Sequence, residues 1–458
     1  MARPLDPPPE LMDVVSRLRP ANPVILESSG GPSAVSRFSI VGLPSAELDL
    51  PVASPTIPGD PVSVQLEEVL GTIPGAKGIP PPAPWEDLPF MGGWIGYFAF
   101  ELGRAFEHLP SRIPPSDCPP VRLLEIPAAI VHDRRRRAAV LVVAPPPAPN
   151  AREAYARGLA ELDALQALCL NRATEPSTAF TPLGPLRSTH SKEDYCRMVD
   201  DARAFIHAGD IFQVNLSQRF QARVKGDPFE LYRTLRRASP APFSAYLDFG
   251  DVQIVGSSPE RFLLLDGDVI ETRPIKGTYP RGVDPREDNA LADALRIDPK
   301  ECAEHVMIVD LERNDLGRLA ARDSVEVRGL LRVERYPQVL HLVSTVRARL
   351  SRPLSLWELL RQTFPGGSIT GAPKIRALEI IDALERCPRG IYTGALGYIS
   401  FSGRIDLNIA IRTIIVRGGR LDLQVGGGIV AASDPAREYE ETRLKAKGMC
   451  LALGLTPP

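Results

Sequence analysis

No run of apolar residues in this 458-residue sequence approaches the roughly 18 that a membrane-crossing helix needs. The best, residues 138–144, has the length of one buried strand. An excess of one charge is also missing. Lys and Arg number 54 against 56 Asp and Glu, a formal net charge of −2, so no broad positive field marks a nucleic-acid binder. Cysteine is sparse and scattered, at 118, 169, 196, 302, 387 and 450, with no Cys-x-x-Cys pair. That pattern fits neither a disulfide framework nor a zinc site, and predicts a reducing cytoplasm. The first residues, Met-Ala-Arg-Pro-Leu-Asp-Pro-Pro-Pro, lack the apolar stretch of a secretory signal. There is no Gly-x-Ser-x-Gly elbow and no metal-spaced His pair, and six histidines leave few for acid–base work.

Proline, by contrast, is abundant and unevenly spread. Of 47 prolines, 31 fall in the first 190 residues; proline cannot donate to a sheet ladder and breaks helix interiors, so loops are expected there. The densest stretches are 51–61, 79–89, 110–120 and 145–149. Between them, residues 23–26, 37–41, 92–100, 128–132 and 138–143 read as strands, the last two joined in a hairpin. The four basic residues at 134–137 read as a solvated turn.

Residues 151–170 have helical spacing, and a Thr/Pro/Ser linker follows to about 187. Ser191-Lys-Glu-Asp194 resembles a capping box and opens a helix to about Ala208. Beyond it, strands are expected over 211–223, 245–249, 252–257, 261–265 and 268–272, with a helix over 229–238. Helices follow over 288–298, 301–311, 356–363 and 373–385, then strands over 394–401, 404–416 and 420–425, and a terminal helix over 435–453. Strand runs interspersed with helix runs predict an α+β fold: a large sandwich of antiparallel β-sheets flanked by helices, not a doubly wound βαβ fold.

Polar and glycine residues interrupt this apolar texture at Gly256-Ser-Ser-Pro-Glu-Arg261, Arg273-Pro-Ile-Lys-Gly-Thr278, the run from Glu304 to Arg318, Gly426-Gly-Gly-Ile-Val430 and Glu438-Tyr-Glu-Glu-Thr442. A further segment, Phe364-Pro-Gly-Gly-Ser-Ile-Thr-Gly-Ala-Pro-Lys374, lacks phosphate-loop spacing, and Pro373 removes a backbone donor; it reads as a glycine-rich lead-in to a helix. Taken singly, Glu304 and Glu441 are weak evidence and read first as solvated helix charges. Lys276, in a Pro-bounded strand end before Gly-Thr, is less easily dismissed. The residues alone lead to an acidic, glycine-lined site for a hard cation such as Mg²⁺ and an anionic ligand.

Taken together and in order, Arg273-Pro-Ile-Lys-Gly-Thr278, Asp310-Leu-Glu-Arg-Asn-Asp-Leu-Gly-Arg318, the 364–374 segment, Ile409-Ala-Ile-Arg-Thr413 and Gly426-Gly-Gly-Ile-Val430 resemble the chorismate-utilising enzymes. This family contains anthranilate synthase component I, aminodeoxychorismate synthase component I, and the isochorismate and salicylate synthases. The likeness runs over about 190–453 and more loosely over 22–145, through Ile25-Leu-Glu-Ser28 and Gly92-Gly-Trp-Ile-Gly-Tyr97. It implies a Pro-rich N-terminal region at 1–150, a helix and linker at 151–187, and a chorismate-binding catalytic region at 188–458. Lysine at 276, where anthranilate and isochorismate synthases usually carry alanine, and Phe364-Pro-Gly-Gly-Ser368 both resemble the aminodeoxychorismate synthase branch.

The resemblance implies residue roles. Lys276 would be the nucleophile and Glu260 the general acid. Glu304 and Glu441 would hold Mg²⁺. Gly277, Thr278, Tyr392, Arg412, Gly426, Gly427 and Gly428 would hold the substrate carboxylates, with His341 near them. No Gly-x-Cys-x-Gly segment is present, so a separate glutamine amidotransferase is the expected ammonia source; nor is there a lyase segment to aromatise the product. Ser28, with Pro242, Phe243 and Ser244, resembles the wall of the family's tryptophan pocket; the same residues also read as plain packing at a strand end. An anthranilate synthase and a non-catalytic ligand-binding paralogue are the alternatives.

Overall fold

Gln213–Lys225 is a long strand, buried for most of its length, because nearly every position faces either a helix layer or a second sheet. The computed structural model that contains it describes residues 1–30, 35–50, 85–145, 148–170 and 177–457. The proline-dense stretch at 51–61, much of that at 79–89 and the start of the linker lie outside the described residues.

Gln213–Lys225 pairs with Arg420–Ile429, and the sheet continues through Thr413–Arg417, Val252–Ser258 and Phe243–Asp248. It then passes directly into the N-terminal strands Val24–Glu27, Phe38–Leu43, Ala128–Asp133, Ala138–Val143 and Ala2–Leu5. A second sheet joins Val339–Arg349, Val269–Arg273, Arg261–Asp266, Ile405–Ile409 and Ala395–Ser400 to the N-terminal Gly93–Phe98. The pairings within both sheets are antiparallel, and the α+β sandwich read from the sequence is the fold. One apolar core fills the space between the sheets, with Ile95, Tyr97, Leu247 and Leu396 in contact. Another lies under helices Leu11–Leu18, Ala151–Leu170, Pro228–Ala238 and Pro435–Ala452 on the outer face of the first sheet. No helix of the described residues is long and apolar enough to cross a membrane.

Local chemistry sets the boundaries. Four helices open with an Asp N-cap followed by proline: Asp227-Pro228, Asp284-Pro285, Asp298-Pro299 and Asp434-Pro435. The aspartate accepts the orphan N–H groups of the first turn, and proline at the first position has none to lose. Two helices therefore start earlier than apolar periodicity alone placed them, at 285 and 299 instead of 288 and 301. Ser191 caps helix Lys192–His207 as expected, accepting from Asp194 N–H. The single strand expected over 404–416 is two strands, Ile405–Ile409 and Thr413–Arg417. Arg412, at φ +49°, breaks the ladder between them, a left-handed backbone that no strand pattern reveals. Strands Ala46–Leu50, Val121–Ile126, Glu326–Arg335 and Val339–Arg349 and helix Leu11–Leu18 were not anticipated, whereas the strand end at Lys276 is Ile275–Pro280. The edge strand Glu326–Arg335 shows why: it is charged and mostly exposed, so it carries no apolar alternation.

One buried ion pair ties the layers together. Arg389 grips Glu385 at 2.7 and 3.0 Å, both side chains being 1% exposed. Arg389 also donates to the carbonyls of Ile369 and Asn215. Removing one partner strands a charge in a dry interior, so Arg389→Met should lower the urea unfolding free energy by about 3 kcal/mol. A loss under about 1 kcal/mol would show that the pair is not structurally required.

Candidate active site

The end of strand Arg420–Ile429 lies against the start of Gln213–Lys225, in the register Asn215↔Gly428, Leu216↔Gly427 and Ser217↔Gly426. Strand Ile275–Pro280 and helices Pro299–Gly317 and Pro435–Ala452 bring their polar groups to the same place. The glycines leave room for them. A β-carbon at Gly428 would stand 2.6 Å from Gln213 Nε2 and 3.2 Å from Lys276 Nζ; one at Gly426 would stand 2.9 Å from both the Tyr392 hydroxyl and Asn215 Oδ1. Only hydrogen fits there, which leaves the backbone open to a ligand.

Lys276 is partly open to this cleft yet lies deep in the protein, and burial lowers its pKa below the usual lysine range. The Lys445 cation pushes the same way, while Glu304, Glu260 and Glu441 oppose. Burial therefore leads the depression, and Arg412 is not among its causes. Glu260 is 4% exposed, and burial raises its pKa against the pull of Ser368, Lys276, Ile275 N–H and Arg412. Burial thus moves the two groups in opposite directions, the carboxyl toward holding a proton and the amine toward losing one.

Glu304 and Glu441 come from different helices and face the same charges. Burial raises the Glu304 pKa, and its Oε1 is buried with no hydrogen-bond partner among the described residues. Glu441 pairs with Lys445 at 2.7 Å, which lowers its pKa. Lys300 lies 3.8 Å from Glu304 and 3.9 Å from Glu438. Among the described residues no three carboxylate, imidazole or thiolate groups converge as a ready coordination sphere. The donor set nevertheless fits a hard cation: all oxygen, one orphaned carboxylate atom, and two lysines that meet the charge in its place.

The remaining expected residues are divided. His341 is buried, its Nδ1 bonded to Thr278 Oγ1 at 3.0 Å and near the Gly277 carbonyl at 3.3 Å. Burial, then the Arg412 charge, lowers its pKa to about 3, so it is a neutral ring. Arg412 makes no ion pair with any described residue, and burial lowers its pKa. An unpaired guanidinium in a cleft is a place for a carboxylate. Tyr392 is 6% exposed beside Gly426.

Ser28, Pro242, Phe243 and Ser244 come together in a separate cavity of about 230 Å³, with Glu27, Arg261 and Asp406. The Ser28 hydroxyl is already committed to the Pro242 carbonyl at 2.9 Å. Arg134, in the run read as solvated, reaches back to the Ser28 carbonyl. Arg261 follows Glu260 directly, so the cavity is adjacent in sequence to the acid of the cleft.

Sequence reading passed over Gln213, Asn215, Glu301 and Lys445, and gave Glu438 no role within its segment. Gln213 is fully buried, and neither end of its carboxamide finds a hydrogen-bond partner among the described residues. Two amides at alternate positions 213 and 215, on one face at the start of the strand, were the available signal.

The profile of chorismate binding enzymes matches residues 62–450. The chain is 45% identical over 363 residues to aminodeoxychorismate synthase component 1 of Klebsiella aerogenes, covering 79% of this chain and 77% of that protein. It is 38% identical over 452 residues to anthranilate synthase component 1 of Acetivibrio thermocellus, covering 94% and 89%. The crystal structure of anthranilate synthase component I from Streptococcus pneumoniae superposes with a TM-score of 0.75 at 35% identity, covering 90% of this chain and 92% of that one. The menaquinone-specific isochorismate synthase of Escherichia coli, at 19% identity, shares the fold with a TM-score of 0.70, covering 99% and 94%. The chain belongs to the chorismate binding enzyme family. Synthases of two kinds stand at comparable likeness, so the choice of reaction falls to the residues of the cleft.

Gly428→Ala tests the cleft directly. Its methyl group would meet Gln213 and Lys276, so chorismate consumption should fall at least tenfold while the melting temperature moves little. Unchanged turnover would place the reaction elsewhere.

Proposed function

We propose that this chain replaces the C4 hydroxyl of chorismate by an amino group, giving 4-amino-4-deoxychorismate, with ammonia from a separate glutamine amidotransferase in p-aminobenzoate and folate synthesis. The observation that carries this reading is Lys276, an amine whose pKa burial depresses, in one cleft with Glu260, whose carboxyl burial shifts upward, and Arg412, which has no ion-pair partner among the described residues.

Arg412, Thr278, Tyr392 and the backbone of Gly277 and Gly426–Gly428 grip the two carboxylates and orient the ring. Glu260 gives its proton to the C4 oxygen, which leaves as water. The Lys276 amine attacks C2 as the ring double bonds shift and the C4–O bond breaks. The new C2 ammonium passes its proton to the ionised Glu260. Ammonia adds at C4, the double bonds shift back, Lys276 leaves C2 as a neutral amine by taking that proton back from Glu260, and the new C4 ammonium returns a proton to Glu260. The Gln213 carboxamide, with neither end hydrogen-bonded among the described residues, offers the entering ammonia an acceptor. Glu304 and Glu441 would hold Mg²⁺, whose charge would fix and neutralise the ring carboxylate.

Product analysis with chorismate, Mg²⁺ and ammonium tests this reading. The wild type should yield aminodeoxychorismate, EDTA should abolish turnover, and chorismate without ammonia should leave an adduct on the Lys276 peptide. Full aminodeoxychorismate output from Lys276→Ala would sink the nucleophile role. Fluorescent anthranilate from the wild type would mark an anthranilate synthase, and untouched chorismate a binding paralogue.

The cavity at Ser28 and Phe243 offers an apolar wall with both charge signs nearby, which suits a zwitterionic aromatic amino acid such as tryptophan. Millimolar tryptophan should raise the melting temperature by mass action while inhibiting turnover little. The absence of a thermal shift would remove tryptophan from this cavity.

A further inference from the structure

Another cavity of about 230 Å³ lies further along the two strands that form the cleft. Arg219 and Gln424, which border it, stand opposite each other in the ladder that pairs Ser217 with Gly426. Tyr392 lines it too, but Gln213, Lys276, Glu260, Glu304 and Arg412 do not.

The arginines around this cavity are unequally matched. Arg389 is balanced by Glu385, and Arg420 pairs with Asp422 at 3.2 Å and lies 3.8 Å from Asp117. Arg219 and Arg417 have no carboxylate within ion-pair distance among the described residues, and their hydrogen bonds go to other acceptors. Arg219 donates to the Pro388 carbonyl and, at 3.4 Å, to Gln424 Oε1. Arg417 donates to the Asp117 carbonyl at 2.7 Å and to Cys118 Sγ at 3.5 Å. Its Nε is buried without a hydrogen-bond partner. Both side chains are half-buried, and a cation drawn out of water with only dipoles around it lacks a counter-charge. Burial raises the Cys118 thiol pKa while the Arg417 and Arg219 charges pull it down, so both cations lie near one point of the wall. Between the charges the wall is apolar, from Pro115, Ile391 and Ile415.

We propose that this cavity binds a small organic acid, its carboxylate held by Arg219 and Arg417 and its apolar body against Ile415, Ile391 and Pro115. A guanidinium offers parallel N–H groups that match the two oxygens of a carboxylate. An inorganic anion would meet the charge but leave the apolar wall uncovered. The volume falls just short of the roughly 300 Å³ at which drug-sized pockets begin, so the acid is small, of the order of benzoate. The inference does not rest on the reaction proposed above, because neither Lys276 nor Glu260 lines this cavity.

Crystals of the wild-type protein soaked in millimolar 4-bromobenzoate locate the site, because bromine scatters anomalously. The bromine should lie against Ile415 and Pro115, with the carboxylate toward Arg417 and Arg219. In solution, calorimetric titration with benzoate should give a millimolar Kd. Arg417→Met and Arg219→Met should each weaken it about tenfold, the loss of one charge-assisted contact. Bromine only in the main cleft or in the Ser28 cavity, or no bromine at all, overturns the proposal, and that result needs no variant to fold. Unchanged benzoate affinity in both folded variants overturns it as well. Inorganic phosphate binding as tightly as benzoate would overturn the assignment to an organic acid.

Discussion

The ion pair of Arg389 with Glu385 is the constraint on which the architecture of the cleft depends. Its guanidinium reaches the Asn215 carbonyl on the central strand and the Ile369 carbonyl in the 364–374 loop, and lies 4.5 Å from the Phe100 ring centroid. Glu385 in turn accepts from both the backbone and hydroxyl of Ser217. One buried cation thereby fixes the strand bearing Gln213 and Asn215, the loop bearing Ser368, and the turn bearing Tyr392. Such a pair contributes little net stability compared with apolar packing, but it permits few alternative arrangements of the segments it joins.

Around that frame the cleft concentrates charge that the protein leaves uncompensated. Arg412 has no carboxylate partner among the described residues, Glu304 has an orphaned oxygen, and Lys276 is pressed toward neutrality. A site satisfied internally would have nothing to offer a dianion. On the reaction proposed above, an anionic substrate would restore electrostatic balance to groups left short of partners, and the low dielectric that shifts Lys276 and Glu260 would strengthen each contact it makes.

The N-terminal strands are continuous with both sheets of the catalytic half. Val24–Glu27 hydrogen-bonds to Phe243–Asp248, which places Ser28 against Pro242 and closes the cavity there. Ligand in that cavity would touch Arg261, the residue after Glu260, so occupancy and catalysis share one strand start.

The sequence by itself determined the family, the sandwich class and most strands and helices, because alternation, Asp-Pro caps and ordered motifs are local properties. It also marked Lys276 and Glu260, since each sits in a motif of glycines and prolines that interrupts apolar texture. Other features were decided only in three dimensions. The break at Arg412 is a backbone angle forced by two strands diverging between sheets, and no pattern of side chains announces it. Gln213 and Glu312 read as ordinary polar residues until burial removes their water. Desolvation is a property of what surrounds a residue, and that surround is drawn from segments up to two hundred residues away in the chain.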